Sequence, residues 1–267
     1  MTDKEELARL AASLRAYAEW QADTGATALP GSTRKRGKKQ ESATLPLVAE
    51  PAAEPAPEPA RAQAAPLTVP TDPAERKARL SDLAREVSCC EKCELSKNRK
   101  QTVFARGNPC AELCFVGEGP GADEDEQGEP FVGKAGQLLD RMIAAMHYAR
   151  DDAYICNIVK CRPPNNRKPE PAEAAACRPY LTEQLALVAP KVIVALGGTA
   201  VEGLLGVSSA GITRTRGQWK LYRGSVPVMP TFHPAYLLRN PAAKRDVWND
   251  LQVVMAHLGK PTPSSGR

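Results

Sequence analysis

Four cysteines are spaced in a way that is typical of metal ligands. Cys90 and Cys93 form a Cys-x-x-Cys pair, while Cys161 and Cys177 stand at the two ends of a loop rich in proline and charge. Four thiolates bind either a tetrahedral zinc ion or a cubane iron–sulfur cluster. The wide second spacing favours the larger cluster, with Cys89 as an alternative ligand to Cys90. Separate cysteines in loops and a helix are the alternative interpretation.

Three polar motifs follow short apolar runs that predict buried strands. "GEGPGADED" comes after the run 113–117, "NIVKCRPP" ends the run 153–159, and "FHPAYLLR" comes after the run 226–232. A fourth run of this kind lies at 191–197. Ligands of parallel sheets bind beyond the carboxyl ends of the strands. We therefore expect the three motifs to converge on one site.

Helical patterns alternate with these runs, at 134–147, 171–188 and 198–206, and a further one at 72–87 leads to the first cysteine pair. Apolar strands that alternate with helices are typical of a parallel sheet covered on both faces. The sequence therefore predicts an α/β fold, a three-layer αβα sandwich around a central, mainly parallel four-stranded sheet, preceded by an N-terminal helix and a disordered linker.

Composition divides the chain of 267 residues into four regions. Eight of the 24 prolines lie between residues 46 and 73, and a segment of this composition buries too little apolar surface to fold. The first residues repeat apolar side chains at three- and four-residue steps, but an isolated helix of this length is marginal in water. We expect the apolar face of residues 1–21 to pack on the chain's own domain or on a partner protein. The predicted regions are an amphipathic helix at 1–24, a linker at 25–74 that is basic and then rich in proline and alanine, a folded domain at 75–260 and a flexible tail at 261–267.

The net charge of +5 comes from one segment. Residues 34–39, "RKRGKK", hold five of the 36 basic residues, and the remaining 31 equal the 31 acidic residues in number. The segment either contacts a phosphate backbone or is a solvated part of the linker. The balance of charge elsewhere means that the high pI does not indicate a basic groove in the folded domain.

The sequence predicts neither a signal peptide nor a membrane span. The N-terminus is acidic, and the longest apolar run, "VIVALGG", is too short to cross a bilayer. Eight cysteines without a secretory signal fit a reducing compartment, where thiols bind metal more often than they form disulfides. We therefore expect a cytoplasmic protein, with a monomer as the default.

The order of the motifs resembles that of a known family. The Cys-x-x-Cys pair is followed by "GEGPGADEDEQGEPFVGKAGQLLD", "NIVKCRPPNNRKP", Cys177 and "FHPAYLLR", as in the family 4 uracil-DNA glycosylases, the iron–sulfur-containing branch of that superfamily. The resemblance runs from about residue 80 to 257 and leaves the first 75 residues outside it. It implies hydrolysis of the N-glycosidic bond of deoxyuridine in DNA, which releases uracil and leaves an abasic site for base excision repair. It also implies a 4Fe–4S cluster, in a structural role, on Cys90, Cys93, Cys161 and Cys177.

The chain departs from the family pattern in one place. The first motif of this family usually reads Gly-Glu-Ala-Pro-Gly, and Gly119 stands here in place of the alanine. A related, covalently trapping branch carries a short insert with Arg and His where this chain continues as "KCRPPNNRKP". The insert is absent here, so we expect turnover and not a trapped linkage.

The resemblance predicts a pocket for a uracil that has left the duplex. Phe131 is expected to stack on the base beside Gly119, in a loop that looks exposed, although an ordinary core Phe is the alternative. Asn157 would donate to uracil O4 and accept from N3–H, a pattern that cytosine reverses, unless it only bridges two strand ends. His233 would donate to O2 as the bond breaks, unless it is structural.

The attacking water needs a carboxylate or a carbonyl oxygen to orient it, and the sugar cation needs nearby negative charge. Glu118 is the candidate, with Asp123 and Asp125 as second choices. A Glu that only caps the following helix is the rival interpretation.

The last motif is expected to contact DNA. It would form a wedge that fills the space left by the flipped base, with an arginine at a phosphate. Its residues are Tyr236, Leu237, Leu238 and Arg239.

Two other functional classes fit parts of the sequence. A non-catalytic iron–sulfur or zinc module that binds DNA or a polymerase would keep the cysteines and the wedge, but would not need Asn157, His233 and Glu118 to converge. A nucleotide-binding α/β enzyme with "GEGPG" as its phosphate loop is disfavoured, because the motif lacks the G-x-G-x-x-G spacing. Release of uracil distinguishes an enzyme from a binding module.

Overall fold

The computed structural model describes residues 70–206 and 211–262, together with Arg15 and Glu19. Those two residues are helical and exposed. The rest of the predicted N-terminal helix, the linker up to residue 69 and residues 263–267 of the predicted tail lie outside the described residues.

One sheet of six strands organises the described domain. Its spatial order is β1-β3-β2-β4-β6-β5, with parallel pairing among the four central strands and antiparallel pairing of β1 and β5 at the edges. The strands are β1 (Arg106–Gly107), β2 (Leu113–Gly117), β3 (Tyr154–Asn157), β4 (Val192–Leu196), β5 (Lys220–Tyr222) and β6 (Val226–Thr231).

The predicted four-stranded sheet is therefore wrong in its number of strands, whereas the mainly parallel core is confirmed. The two additional strands have only two and three residues. Segments this short do not show the alternation of apolar and polar residues that predicts a strand.

Helices cover both faces of the sheet, as the sandwich prediction requires. The helices are α1 (Pro73–Ser88), α2 (Ala122–Gln127), α3 (Lys134–Ala145), α4 (Pro171–Val188), α5 (Gly198–Leu205), α6 (Ile212–Thr215), α7 (Pro234–Arg239) and α8 (Lys244–His257). Within residues 70–206 and 211–262, none of them combines the length and the apolar character needed to span a bilayer.

Successive strand residues point to opposite faces and build two separate cores. Phe115 and Val194 contribute to one core with α3, α7 and α8. Val116 and Ala195 contribute to the other core with α1, α4 and α5. These two cores hold the central strands between layers of helices, so the positions of their carboxyl ends are fixed.

Local sequence signals explain where α1, which precedes the first cysteine pair, and α4, which contains Cys177, begin. The side chain of Asp72 accepts a hydrogen bond from the backbone N–H of Ala74, at 3.0 Å, which caps α1 next to its first residue, a proline. α4 also begins at a proline, and the carboxylate of Glu173 accepts a hydrogen bond from the backbone N–H of Glu170, at 2.7 Å. Both ends combine a side-chain acceptor with a proline that needs no partner for its nitrogen.

The loop before α3 lies unusually close to that helix. A Cβ atom at Gly136 would lie 1.7 Å from the carbonyl oxygen of Phe131, so no larger residue fits at this position without moving the loop. Phe131 itself has a φ of 58°, in the left-handed region that residues with side chains seldom adopt. The close approach at Gly136 therefore helps to hold Phe131 in a strained conformation.

We predict that Gly136→Ala destabilises the protein by about 1–3 kcal/mol, because the added methyl group overpacks against a backbone oxygen. A glycine-to-alanine change inside a helix ordinarily stabilises by about 0.5–1 kcal/mol. Urea denaturation therefore distinguishes the two effects, because overpacking lowers the free energy of unfolding and helix propensity raises it. Ala144→Gly, at a half-buried position of the same helix, reports the ordinary propensity difference; a Gly136→Ala protein more stable than the wild type would contradict the prediction.

Candidate active site

A cavity of about 530 Å³ lies beyond the carboxyl ends of β2, β3 and β6. The three polar motifs predicted to converge all contribute to its wall, which confirms the topological argument. Its lining includes Glu118, Gly119, Asp123, Glu124, Phe131, Asn157, Pro163, Asn166, Arg167, His233, Tyr236 and Arg239.

Asn157 is the last residue of β3 and is buried, with 2% of its surface exposed. Its Oδ1 atom is buried and has no hydrogen-bond partner among the described residues. A Cβ atom at Gly117, the residue that pairs with Asn157 in the sheet, would lie 2.4 Å from this oxygen and 2.7 Å from Cζ of Phe131. The glycine thus makes room for the amide and the ring, and the unpaired acceptor is an exception that a ligand donor would satisfy.

Phe131 forms a wall of the cavity, but its loop is not exposed as expected. The residue is 5% exposed and belongs to a core cluster as well as to the cavity lining. Its ring stacks near His233, with centroids 5.6 Å apart and planes inclined by 28°. A buried Arg106 holds the loop, since its Nε donates to the carbonyl oxygen of Pro130 at 3.0 Å and its guanidinium pairs with Asp140. The apolar core and this arginine together orient the ring.

Sequence reasoning missed Glu124, which joins two loops of the site. One carboxylate oxygen accepts from the backbone N–H of Gly121 at 3.0 Å, and the other accepts from Val132 at 3.1 Å and Gly133 at 3.3 Å. The side chain therefore caps α2 and fixes the segment that follows Phe131. The three-residue spacing from Gly121 to Glu124 at the start of a helix is the sequence signal for this role.

Glu118 leaves its carboxylate free for chemistry. The residue is half-buried and lines the cavity, and within the described residues its side chain makes no hydrogen bond or ion pair. The capping role considered as its rival belongs to Glu124. Asp123 also lines the cavity, whereas Asp125 is buried away from it and accepts from the backbone N–H of Lys100 at 3.0 Å. The placement of Asp125 corrects its choice as an alternative catalytic carboxylate.

His233 caps the short helix α7, and this contact fixes its tautomer. The ring Nδ1 accepts a hydrogen bond from the backbone N–H of Ala235 at 3.1 Å. Burial of the imidazole, with a smaller contribution from the positive charge of Arg239, lowers the pKa of His233 to about 4. The ring is therefore neutral at pH 7, and its one N–H is on Nε2.

The end of β6 that carries His233 is anchored by a buried carboxylate. Thr231 Oγ1 donates to Asp250 at 2.7 Å, and Arg216 binds the same carboxylate through Nε at 3.1 Å and through a terminal nitrogen at 2.8 Å. Such a bidentate pair adds geometric specificity as well as energy. It holds the strand end two residues before the histidine.

The motif predicted to contact DNA folds as α7, and this corrects one of its residues. Tyr236 and Leu238 are 38% and 44% exposed, and Arg239 is exposed as well. Leu237 is fully buried in the core with α3 and α8, because one turn of helix carries adjacent residues to different faces. Of the two leucines predicted to form part of the wedge, only Leu238 lies on the surface.

Cys90, Cys93, Cys161 and Cys177 line one small cavity with Lys160. All four thiols are free. They come from three separate parts of the chain, the segment after α1, the segment after β3 and helix α4. No set of three or more His, Cys, Asp or Glu side chains in the described parts of the chain is arranged to hold a metal ion.

A cation contacts this cysteine cluster directly. Arg99 donates to Sγ of Cys161 at 3.1 Å and to the carbonyl oxygen of Cys90 at 2.7 Å. Cys89 is exposed and does not line the cavity, so the structure favours Cys90 over it as the member of the cluster.

Comparison with known proteins agrees with this arrangement. The model of the uracil DNA glycosylase superfamily matches residues 104–252. The type-4 uracil-DNA glycosylase of Thermotoga maritima is 43% identical over 187 residues, which cover 69% of this chain and 97% of that protein. The corresponding enzyme of Archaeoglobus fulgidus is 42% identical over 193 residues, covering 69% and 96%, and that of Saccharolobus solfataricus is 43% identical over 183 residues, covering 66% and 85%. The resemblance in the motifs is thereby confirmed, and the chain belongs to the type-4 branch of the uracil-DNA glycosylase superfamily.

Proposed function

We propose that this chain is a monofunctional uracil-DNA glycosylase. It receives a flipped deoxyuridine in the cavity beyond β2, β3 and β6, hydrolyses the N-glycosidic bond, and leaves an abasic site in DNA. The observation that carries the proposal is the buried, unpartnered Oδ1 of Asn157, which stands in the wall of the same cavity as Phe131 and His233. We further propose that it acts as a cytoplasmic monomer and that residues 1–21 bind a protein partner or the domain itself.

Recognition of the base depends on the amide of Asn157. Uracil N3–H supplies the donor that Oδ1 lacks, and the amide N–H groups donate to O4. Cytosine presents an acceptor at N3 and a donor on C4. Oδ1 would then face another acceptor, and the amide N–H groups would face another donor. A buried polar group left without its partner costs about 1–3 kcal/mol, and this cost provides the discrimination.

Departure of the base depends on His233. Negative charge develops on uracil O2 as the glycosidic bond breaks, and a donor already in place stabilises it without reorganisation. The Nε2–H of the neutral ring is such a donor, because Nδ1 is occupied by the N–H of Ala235. Its stacking contact with Phe131 keeps the Nε2–H donor at a constant distance from the aromatic ring that stacks on the base.

Attack on the sugar depends on a carboxylate at the mouth of the cavity. The free, half-buried side chain of Glu118 orients the water and provides negative charge beside the sugar cation. Entry of the base depends on α7, where Tyr236 and Leu238 enter the space that the base leaves and Arg239 contacts a phosphate.

The cysteine cluster fits a 4Fe–4S cofactor. Its donors are all sulfur, which is the ligand set of such clusters, and the cations Arg99 and Lys160 lie beside them. The four cysteines line one small cavity, and a 4Fe–4S core takes four cysteine thiolates as its ligands. When bound, the group would supply a covalent cross-link between α1, the segment after β3 and α4, and no step of the hydrolysis passes through it.

The function is tested by incubating the protein with an oligonucleotide that contains one deoxyuridine, followed by alkaline cleavage. Wild-type protein is expected to cut this strand, and not strands with thymidine or deoxycytidine at the same position. Asn157→Ala is expected to reduce the single-turnover rate by about 10- to 100-fold, since it removes the contacts to the base edge. The matched control Asn249→Ala, on the exposed face of α8, should retain wild-type activity; a folded wild type that releases no uracil would favour the binding module.

The pH dependence of excision tests the state of His233. Its pKa in the folded protein is about 4, below the ordinary 6.5, so the neutral form predominates at every pH above about 5. We expect no inflection from a histidine in the single-turnover rate between pH 5.5 and 8. His233→Ala is expected to lower that rate by about 10²–10³-fold at every pH in this range, as for the loss of one oxyanion donor. A wild-type rate that falls as the pH rises through an apparent pKa near 6.5, together with a flat profile for the variant, would argue against a neutral donor.

Iron content tests the cysteine assignment. Cys161→Ala is expected to lose most of the bound iron and the brown colour and to lower the yield of folded protein, because the cross-link between three parts of the chain is broken. The matched control is Cys110→Ala, since Cys110 is exposed and does not line the cavity. A Cys161→Ala protein with full iron content and normal folding would remove Cys161 from the ligand set.

A further inference from the structure

Lys160 lies between the cysteine cluster and the base cavity and takes no part in the proposed recognition of the base or in the hydrolysis. It is 1% exposed, which makes it a fully buried lysine. Its Nζ donates to the carbonyl oxygen of Asn157 at 2.9 Å and to Oε1 of Gln184 at 2.5 Å. Its residue also lines the cysteine cavity, next to Cys161 in the chain. One residue therefore contacts the strand end that carries the base-reading amide and the cluster that anchors the following loop.

The ammonium of Lys160 has no carboxylate partner among the described residues. Both of its acceptors are neutral, and the ring of Phe104 has its centroid 5.7 Å from Nζ. A buried charge is costly unless an opposite charge is near. Buried ammonium groups in proteins are accordingly paired, so the source of negative charge for this one needs to be identified.

A cluster bound by the cysteines would provide that charge. Lys160 lines the same cavity as Cys90, Cys93, Cys161 and Cys177, and it directly precedes Cys161 in the chain. Four thiolates around a 4Fe–4S core would carry a net negative charge and would place a diffuse anion beside the buried ammonium.

We propose that Lys160 is a positioning residue that couples the two sites: the negative charge of the cluster retains its ammonium in the interior, and the ammonium in turn holds the carbonyl of Asn157 and hence the base-reading amide. This inference rests on the proposed function, since it needs both the cluster and uracil recognition. It assigns the cluster a consequence for base affinity that a simple cross-link would not have.

The polar neighbours of Lys160 show why the effect is directed at Asn157. Gln184 is held in turn, because its Nε2 donates to the hydroxyl of Tyr154 at 2.8 Å and to the carbonyl of Phe104 at 3.2 Å. Tyr154 and Asn157 are the first and last residues of β3. The network thus forms hydrogen bonds at both ends of β3. His233 and Glu118 lie outside this network, because they follow β6 and β2. Loss of Lys160 should therefore weaken base binding more than the chemical step.

The test measures two properties of Lys160→Met beside the wild type. One is the rate at which visible absorbance bleaches in the presence of an iron chelator, which reports cluster retention. The other is the enzyme concentration that gives half the maximal single-turnover rate on a deoxyuridine oligonucleotide, together with that maximal rate. We expect faster bleaching and an increase of about tenfold in the half-saturating concentration, with a smaller change in the maximal rate. Lys160→Arg, which keeps the charge, should restore both properties toward the wild type.

Two further variants calibrate these measurements. Arg99→Met removes a cation that contacts Cys161 but not Asn157, and so gives the change in bleaching caused by a lost cation alone. Lys191→Gln changes an exposed lysine that pairs with Glu112 and should match the wild type in both assays. A Lys160→Met protein that changes in only one property, or in neither, overturns the coupling.

A second measurement needs no variant and decides the matter if Lys160→Met does not fold. Coupling between two sites is reciprocal in binding free energy, so a base bound at Asn157 must raise the affinity of the protein for the cluster, and we expect this stabilisation to slow the loss of the cluster to a chelator. An oligonucleotide with 2′-fluoro-deoxyuridine, which resists cleavage, should slow bleaching of the wild type severalfold more than the same strand with thymidine. Equal protection by both strands overturns the inference. A wild type that is colourless or releases no uracil contradicts the proposed function instead, so the two failures are distinguishable.

Discussion

The parallel pairing of β2 with β3 aligns Gly117 with Asn157 and determines the positions of the other side chains of the site. Because Gly117 has no side chain, the amide of Asn157 and the ring of Phe131 both fit beside its Cα, at distances that a methyl group would not permit. A shift of one residue in this register would turn Asn157 to the other face of the sheet. Glu118 directly follows Gly117, and Lys160 lies three residues after Asn157 and donates to its carbonyl oxygen, so the same pairing places the carboxylate and the buried ammonium.

The loops at the carboxyl edge are held by buried polar contacts. Glu124 binds backbone N–H groups of two loops, Arg106 binds the carbonyl before Phe131, and Asp250 anchors the strand before His233. Hydrogen bonds between a charged side chain and a buried backbone group are stronger than neutral ones and leave little freedom of geometry. Catalysis that relies on donors already in place needs this rigidity, because a donor that has to reorganise loses much of its effect.

The sequence predicted the elements that repeat a pattern over several residues and missed those that depend on a single contact. The run 113–117 and the helical pattern 171–188 match β2 and α4, since each is long and consistently buried or periodic. Convergence of Glu118, Asn157 and His233 followed from the rule that parallel strands end at one edge of the sheet. The buried position of Leu237 and the anchored carboxylate of Asp125 depend on how α7 and α2 pack, and a short sequence motif does not contain that information. Glu124 was missed for a similar reason, because its partners include the loop eight residues further along the chain.

The segment between Cys161 and Cys177 shows why a cluster of thiolates is useful in this fold. Asn165 and Asn166 both have left-handed φ angles, of 55° and 54°, and residues 164–166 are exposed, so packing contributes little to holding them. Pro163, Asn166 and Arg167 nevertheless form part of the wall of the base cavity. Arg167 is held through two hydrogen bonds to Glu173, at 2.7 and 2.8 Å, but it is partly exposed, and exposed ion pairs stabilise only modestly. A cluster bound at both ends of the segment would restrict it where a hydrophobic core does not reach, and would therefore keep one wall of the cavity in place while the base enters.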